Sequence, residues 1–227
     1  LPLQSAFAAV VLLVVILFGV FMTLAVSRAL SATLLKGMPS SFTLELPPYR
    51  KPQIGSVIVR SILDRTIFVL GRAVAVAAPA GLLIWCMANI SIGDSSLLRI
   101  CADFLNPFGR FMGLDGMILM GFILGFPANE IVVPIIIMGY MCSGNIMELS
   151  NLTDLKTLLC QNGWTITTAI CTIVFSLLHF PCATTCLTIY KETKSLRWTV
   201  FAFILPTVCG VMVCALITGV SNVASFF

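Results

Sequence analysis

Hydrophobic residues run along this chain in blocks too long for the core of a water-soluble domain, and polar residues gather between them. The first block, Ala6–Val26, continues apolar toward Leu35 and meets no charge before Arg28. As a helix its residues rise about 31 Å, the thickness of a hydrocarbon core, and Arg28 falls where it can reach the headgroups. The block is too long for the apolar part of a signal peptide, and no basic residues precede it. A second block covers Ile67–Ile90, with Arg72 near its start, and a last one covers Trp198–Val220. Lys36–Asp64 reads as a loop, because Pro47-Pro48 removes donors and forces extended backbone. Its later part places Ile54, Val57, Ile58 and Ile62 at helical spacing. This predicts an amphipathic helix over 54–66, lying at the membrane interface.

Two further blocks are interrupted. Met117–Met141 is apolar at both ends and broken at Gly125, Pro127, Asn129 and Glu130. It fits either one kinked span or a re-entrant hairpin of two half-helices. Trp164–Leu178 breaks at His179-Phe180-Pro181-Cys182, and Ala183–Tyr190 resumes. Ser91–Gly116 and Cys142–Gly163 read as polar connections. Basic residues in short loops set orientation. Lys36, Arg50, Lys51, Arg60 and Arg65 mark one loop as cytoplasmic, and Lys191, Lys194 and Arg197 mark another. The connections 91–116 (Arg99, Arg110) and 142–163 (Lys156) carry fewer basic residues and are expected outside. If both lie on one side, Met117–Met141 must return to the side it started from, which favours the hairpin.

Composition strengthens this picture. Charged residues make up 10% of the chain and hydrophobic residues 59%, with a mean hydropathy of +1.08. Soluble domains carry about 25% charged residues, so lipid is the solvent this surface suits. The expected fold class is all-α: a polytopic helical membrane protein with a re-entrant hairpin and a broken helix. Residues 1–52 form a transmembrane helix plus cytoplasmic loop, and 53–227 form a second domain with span 67–90, hairpin 117–141, broken helix 164–190 and span 198–220. The net charge of +4 belongs to orientation, and no basic stripe interleaved with aromatics points to nucleic acid. The nine cysteines are an odd number without a CxxC pair, which argues against a complete disulfide framework. Pairing among Cys101, Cys142 and Cys160 stays open. Without an initiator Met, the chain reads as a piece of something longer.

The two breaks carry the candidate chemistry. Irregular backbone survives at membrane depth only when buried in protein or lining a cavity, and an intramembrane acid is a functional candidate. At the first break, the carbonyls around Pro127 join Asn129 and Glu130 as oxygen donors for a cation. The bland alternative is a solvated turn with a surface Glu. At the second, His179, Cys182 and Cys186 offer imidazole and sulfur, a transition-metal set; the alternative is a kinked helix with buried cysteines. Paired broken helices mark secondary transporters, whose substrates bind near the midplane. No P-loop, H-E-x-x-H or G-x-S-x-G occurs, so no enzymatic activity is expected of this chain.

At these residues the chain resembles the ferrous-iron transport protein B family (FeoB). Glu45-Leu46-Pro47-Pro48-Tyr49-Arg50 with Pro52 is similar to an ELPPYR-x-P segment of that family. Gly113-Leu114-Asp115-Gly116 followed by Gly125-Phe126-Pro127-Ala128-Asn129-Glu130-Ile131 resembles its second Gate motif. Pro181-Cys182-Ala183-Thr184-Thr185, with Thr188-Ile189 and Lys191-Glu192-Thr193, resembles the closing part of that Gate. The resemblance implies the C-terminal membrane region of a multi-pass Fe2+ permease in the bacterial cytoplasmic (inner) membrane. Its GTPase domain and first Gate would lie outside this sequence. It implies Cys182 as an iron-path ligand; Glu130, Asn129 and His179 stand beside it as metal candidates from the residues at the two breaks. No permanently bound cofactor is implied: Fe2+ is the substrate, and GTP enters only through the GTPase domain. The implied partners are the lipid bilayer, Fe2+ and the remainder of the transporter, with a homo-oligomer left open. Rival readings are a nucleoside or organic-solute carrier on the same Gate architecture, which resembles that of concentrative nucleoside transporters, and a non-transporting membrane scaffold.

Overall fold

The computed structural model describes residues 2–34, 36, 55, 59, 67–93, 95–142 and 151–224. The Glu45–Arg50 segment and nearly all of the expected interfacial helix lie outside them. The chain divides into two compact units, Leu1–Ile67 and Phe68–Phe227.

In the first unit, helix α1 (Pro2–Ala32) is apolar on every face, and its large side chains, among them Phe7, Leu12, Phe21 and Leu24, are exposed. A helix apolar all round suits lipid. Threonines bond back locally: Thr23 Oγ1 donates to the Gly19 carbonyl at 2.9 Å and Thr33 Oγ1, just past the helix end, to the Ala29 carbonyl at 2.7 Å. That is the requirement lipid places on any polar group.

The second unit begins with α2 (Phe68–Asn89), which tolerates Pro79 in its interior. A two-residue ribbon, β1 (Ser91–Ile92) paired antiparallel with β2 (Ser95–Ser96), leads into α3 (Leu97–Phe111). The expected polar connection 91–116 is therefore mostly a helix. Ser96 caps it, accepting from the Arg99 N–H at 3.3 Å, and Leu98 and Ala102 turn inward while Arg99, Asp103 and Arg110 share the outer faces with exposed Ile100, Phe104, Phe108 and Phe111. After a sharp turn comes α4 (Gly116–Leu124), bent 109° from α3. A 3-10 turn at Asn129–Ile131 and α5 (Val132–Tyr140) complete the interrupted block. The second polar connection also contains a helix, α6 (Leu152–Gln161), capped by Asn151. Helices α7 (Ile166–Leu178) and α8 (Ala183–Thr193) are the two halves of the broken helix, and α9 (Leu196–Ala224) is the last span.

Among the described residues, three stretches are long and apolar enough to cross a membrane: Ser5–Ala32, Ile166–Thr193 taken across its break, and Leu196–Ala224. The bent pair α3–α4 adds a fourth if taken as one span.

The interrupted block is a hairpin. Helices α4 and α5 pack against each other, and its two ends meet: the Tyr140 hydroxyl donates to Asp115 Oδ2, while Asp115 Oδ1 accepts the Ile118 N–H at 2.7 Å. One carboxylate thus caps the first leg and fastens the end of the second. The core forms around this hairpin, with Met117, Met120, Leu124, Ile135 and Met138 packed against Ile84, Leu98 and Ala102.

Close approach of α3 and α4 rests on Gly116, where a Cβ would lie 1.8 Å from the Ala102 carbonyl oxygen. Backbone cannot yield as a flexible side chain would. Gly116→Ala is expected to destabilise the unit by about 3 kcal/mol or more. Gly219→Ala, in a helix interior where a Cβ meets nothing within 4 Å, should hold stability or raise it by up to about 1 kcal/mol. Thermal unfolding of the two purified variants in detergent checks the contrast; equal melting temperatures would refute the close packing.

Candidate cation site at two chain breaks

At the first break, α4 ends at Gly125, whose N–H donates to the Gly121 carbonyl at 2.8 Å. A Cβ at Gly125 would fall 2.3 Å from Val132 Cγ2, so the two hairpin legs converge where only glycine fits. The Ala128 N–H closes a turn onto the Gly125 carbonyl at 3.0 Å, around Pro127, which has no N–H to place. Ala128 is extended (φ −153°, ψ 119°) and feeds the 3-10 turn that carries Asn129 and Glu130.

At the second break, Pro181 disfavours helical backbone in the residue before it. His179, the C-cap of α7, is extended (φ −72°, ψ 175°), and Cys182 is the N-cap of α8 (φ −63°, ψ 162°). The two breaks touch. The Ala183 N–H, at the start of α8, donates to the Phe126 carbonyl at 2.9 Å, pairing a helix-start donor with a carbonyl in the hairpin turn. Aromatic rings close around this bond. Phe180 stacks on Phe203 at 4.8 Å, and Phe126 meets Phe180 at 5.9 Å and Phe203 at 5.8 Å.

Cys182 is half-buried, with its sulfur 3.1 Å from the hydroxyls of both Thr184 and Thr185. The positive end of the α8 dipole lies beside it. Cys182 caps the helix, and its carbonyl accepts the Cys186 N–H at 3.0 Å. The Cys186 thiol donates to the Pro181 carbonyl at 3.6 Å.

His179 has a defined tautomer. Its Nδ1 lies 2.9 Å from the Ser176 carbonyl, which can only accept, so Nδ1 carries the hydrogen and Nε2 the lone pair. Nε2 is buried without a hydrogen-bond partner among the described residues. It sits among the rings of Phe122, Phe180 and Phe175, at centroid distances of 5.1, 5.3 and 6.1 Å. A histidine whose other nitrogen donates to a backbone carbonyl has the arrangement of many metal ligands.

Asn129 and Glu130 are exposed on the 3-10 turn. Among the described residues, no three His, Cys, Asp or Glu side chains converge to hold a metal ion. What the breaks assemble is a sulfur, an imidazole lone pair and backbone carbonyls within one apolar unit. These are donors for a borderline cation, short of a closed coordination shell.

The sequence reading missed a polar cleft of about 610 Å³ at the other end of the hairpin. Asp103, Asp115, Tyr140, Trp164, Thr167 and Thr218 are among its lining residues. Trp164 Nε1 donates to the Tyr140 hydroxyl at 2.8 Å, which ties the start of the broken helix to the base of the hairpin. Asp115 alone carried a signal: an Asp directly before an apolar run is a helix N-cap.

A family model, Ferrous iron transport protein B C terminus, matches residues 12–64. The Fe(2+) transporter FeoB of Staphylococcus aureus (strain MSSA476) is 29% identical over 208 residues, covering 87% of this chain and 29% of that protein. The Fe(2+) transporter FeoB of Campylobacter jejuni is 24% identical over 202 residues, covering 83% of this chain and 32% of that protein. That of Leptospira interrogans serovar copenhageni is 26% identical over 217 residues, covering 85% and 30%. The chain is similar to the C-terminal membrane region of the ferrous iron transport protein B family. It spans about a third of the length of these FeoB relatives. With the relatives, its apolar helices make it a multi-pass protein of the bacterial cytoplasmic (inner) membrane. No solved structure matches it.

An unpaired buried ring nitrogen costs about 1–3 kcal/mol, and phenylalanine matches the ring in a setting already aromatic. His179→Phe is therefore expected to hold or raise the thermal stability of the purified protein. The substitution also removes the Nδ1 bond to the Ser176 carbonyl, worth about 1 kcal/mol, so a fall in melting temperature well beyond that bond's share would show that Nε2 has a partner, contrary to the arrangement described.

Proposed function

We infer that this chain is the C-terminal portion of a ferrous-iron permease and carries part of the path by which Fe2+ crosses the cytoplasmic membrane. The observation that supports this most directly is the hydrogen bond between Ala183 N–H and the Phe126 carbonyl. It brings two interruptions of apolar helix together, and with them sulfur, imidazole and carbonyl donors. Broken helices that meet within an apolar unit are where transporters bind their substrates. The Fe(2+) transporters among the relatives favour iron as the substrate.

In this reading Cys182 is the soft ligand and His179 Nε2 a second donor. Glu130 and Asn129, on the adjoining turn, supply charge compensation and oxygen as the ion leaves the apolar interior. The remaining ligands come from elsewhere, either from the first Gate of the same transporter or from another copy. A GTPase domain outside this sequence drives or gates the passage. The reaction at the site is ligand exchange: the hydrated ion sheds water, and a thiol that binds it gives up its proton. Apparent affinity for Fe2+ therefore rises with pH.

The test is Fe2+ uptake by full-length protein in cells lacking other ferrous-iron import. Cys182→Ser is expected to lower uptake about tenfold or more and to flatten its pH dependence, as loss of a metal contact does. Glu130→Gln should lower uptake while keeping the pH dependence. Wild-type uptake by both variants, at matched membrane levels, would reject these roles. Transport of a labelled nucleoside that is indifferent to Cys182→Ser would identify the rival carrier.

A further inference from the structure

Helices α7 and α9 pack along their length, and at the middle of the seam two cysteines face each other. Cys171 and Cys214 are both fully buried. Each thiol reaches across to the backbone of the other: Cys214 Sγ lies 3.4 Å from the Cys171 carbonyl, and Cys171 Sγ 3.9 Å from the Cys214 carbonyl. Reciprocal contacts of this kind set the two sulfurs side by side. Thr218 adds an oxygen, its hydroxyl 3.7 Å from Cys171 Sγ and 2.9 Å from the Cys214 carbonyl.

This cluster lies directly beneath the polar cleft. Thr218 and Gly113 both line the cleft. Gly113 has a positive φ of 70°, and a Cβ there would fall 2.3 Å from Thr218 Oγ1 and 3.2 Å from Cys171 Sγ. Glycine thus thins the floor to one layer at the point where the sulfurs lie below it.

We propose that Cys171 and Cys214 form a dithiol site for a thiophilic cation, reached from the polar cleft past Gly113 and Thr218. Thiolate sulfur prefers soft and borderline ions over the hard ions that oxygen-only sites take. The cleft itself carries Arg99 and Arg110 as well as Asp103 and Asp115, so it does not concentrate cations by charge, and selection rests on the sulfurs. Binding a divalent ion replaces two S–H bonds by two metal–sulfur bonds and releases two protons to the cleft water. Thr218 Oγ1 is the further donor on hand, since both cysteine carbonyls already accept helix N–H groups and a second hydrogen bond, from the Cys214 thiol and the Thr218 hydroxyl respectively. The site stands independently of any role for Cys182.

Cadmium(II) is the probe, added to the purified full chain in detergent with the other seven cysteines replaced by serine. Saturable binding with the ultraviolet absorption of a cadmium–thiolate bond is expected. Cys171→Ser or Cys214→Ser in that background should each weaken it by about tenfold or more. Unchanged affinity, or binding without the thiolate band, overturns the proposal. If the substituted chain does not fold, the native chain serves, with maleimide labelling of individual cysteines read by mass spectrometry. Cadmium is expected to protect Cys171 and Cys214 together. Equal labelling with and without cadmium overturns the site. So does failure of both to label without it, which would mean the seam is sealed from the cleft. Cys182→Ser leaves the protection intact if the site is real, so its failure and that of the permeation reading are distinguishable.

Discussion

Everything in the second unit depends on how backbone polar groups are satisfied away from water. A helix in lipid satisfies its own, and an interruption exposes donors and acceptors that each cost several kcal/mol if left unpaired. This chain interrupts its apolar segments at Gly125–Ala128 and at His179–Cys182, and it answers one break with the other. The donor at the start of α8 meets the carbonyl of Phe126, while the carbonyl of Pro181 takes the Cys186 thiol and that of Ser176 takes His179 Nδ1. Phe126, Phe180 and Phe203 then seal the junction. Neither break is stable in an apolar setting without the other, so their adjacency is a condition of the fold.

The same logic explains which parts were legible in the sequence. The hairpin was an expectation from loop charge, since a segment flanked by two loops on one side must turn back, and the packing of α4 on α5 agrees with the turn itself. The Asp115–Tyr140 hydrogen bond is the physical form of that turning back. Pro127 and Pro181 could be read because missing donors and steric restriction are local properties. Helix α3 is not legible as a helix because Arg99, Asp103, Arg110 and the interior Pro107 mask the inward positions Leu98 and Ala102. In an amphipathic helix at a membrane edge, polarity measures exposure rather than loss of structure. The Trp164–Tyr140–Asp115 chain could not be read, since its members are separated by about two dozen residues on either side and only tertiary contact joins them. Cys171 and Cys214 were hidden for another reason. In an apolar run, cysteine looks like any small hydrophobe, and only the packing of α7 on α9 distinguishes a pair from two isolated residues.

The hairpin is held differently at its two ends. The base is fixed by side chains: Asp115 caps α4, accepts from Tyr140, and through Tyr140 reaches Trp164. Gly116 lets α3 press on α4 with no room to slide. The tip is held by one backbone hydrogen bond and by rings, and its polar residues Asn129 and Glu130 face outward. Rigidity therefore lies at the polar cleft, and the donor groups at the breaks are presented by a turn with few attachments of its own. This suits a site that takes its remaining ligands from another part of the protein, because the tip offers polar groups at a surface where a partner can meet them.

Sulfur is also the ligand this architecture can hold at least expense. An empty carboxylate site in an apolar interior must either keep a charge out of water or take up a proton. An empty thiol is neutral and packs as a hydrophobe. The distribution follows that difference. Among the described carboxylates, Asp103, Glu130, Asp154 and Glu192 are exposed and Asp115 is half-buried at the cleft, while Cys171 and Cys214 are fully buried and Cys182 is half-buried. The proposed cation path would place thiols where the dielectric is low, because they acquire charge only when the ion arrives to neutralise it. Carboxylates remain where water can solvate them between one ion and the next.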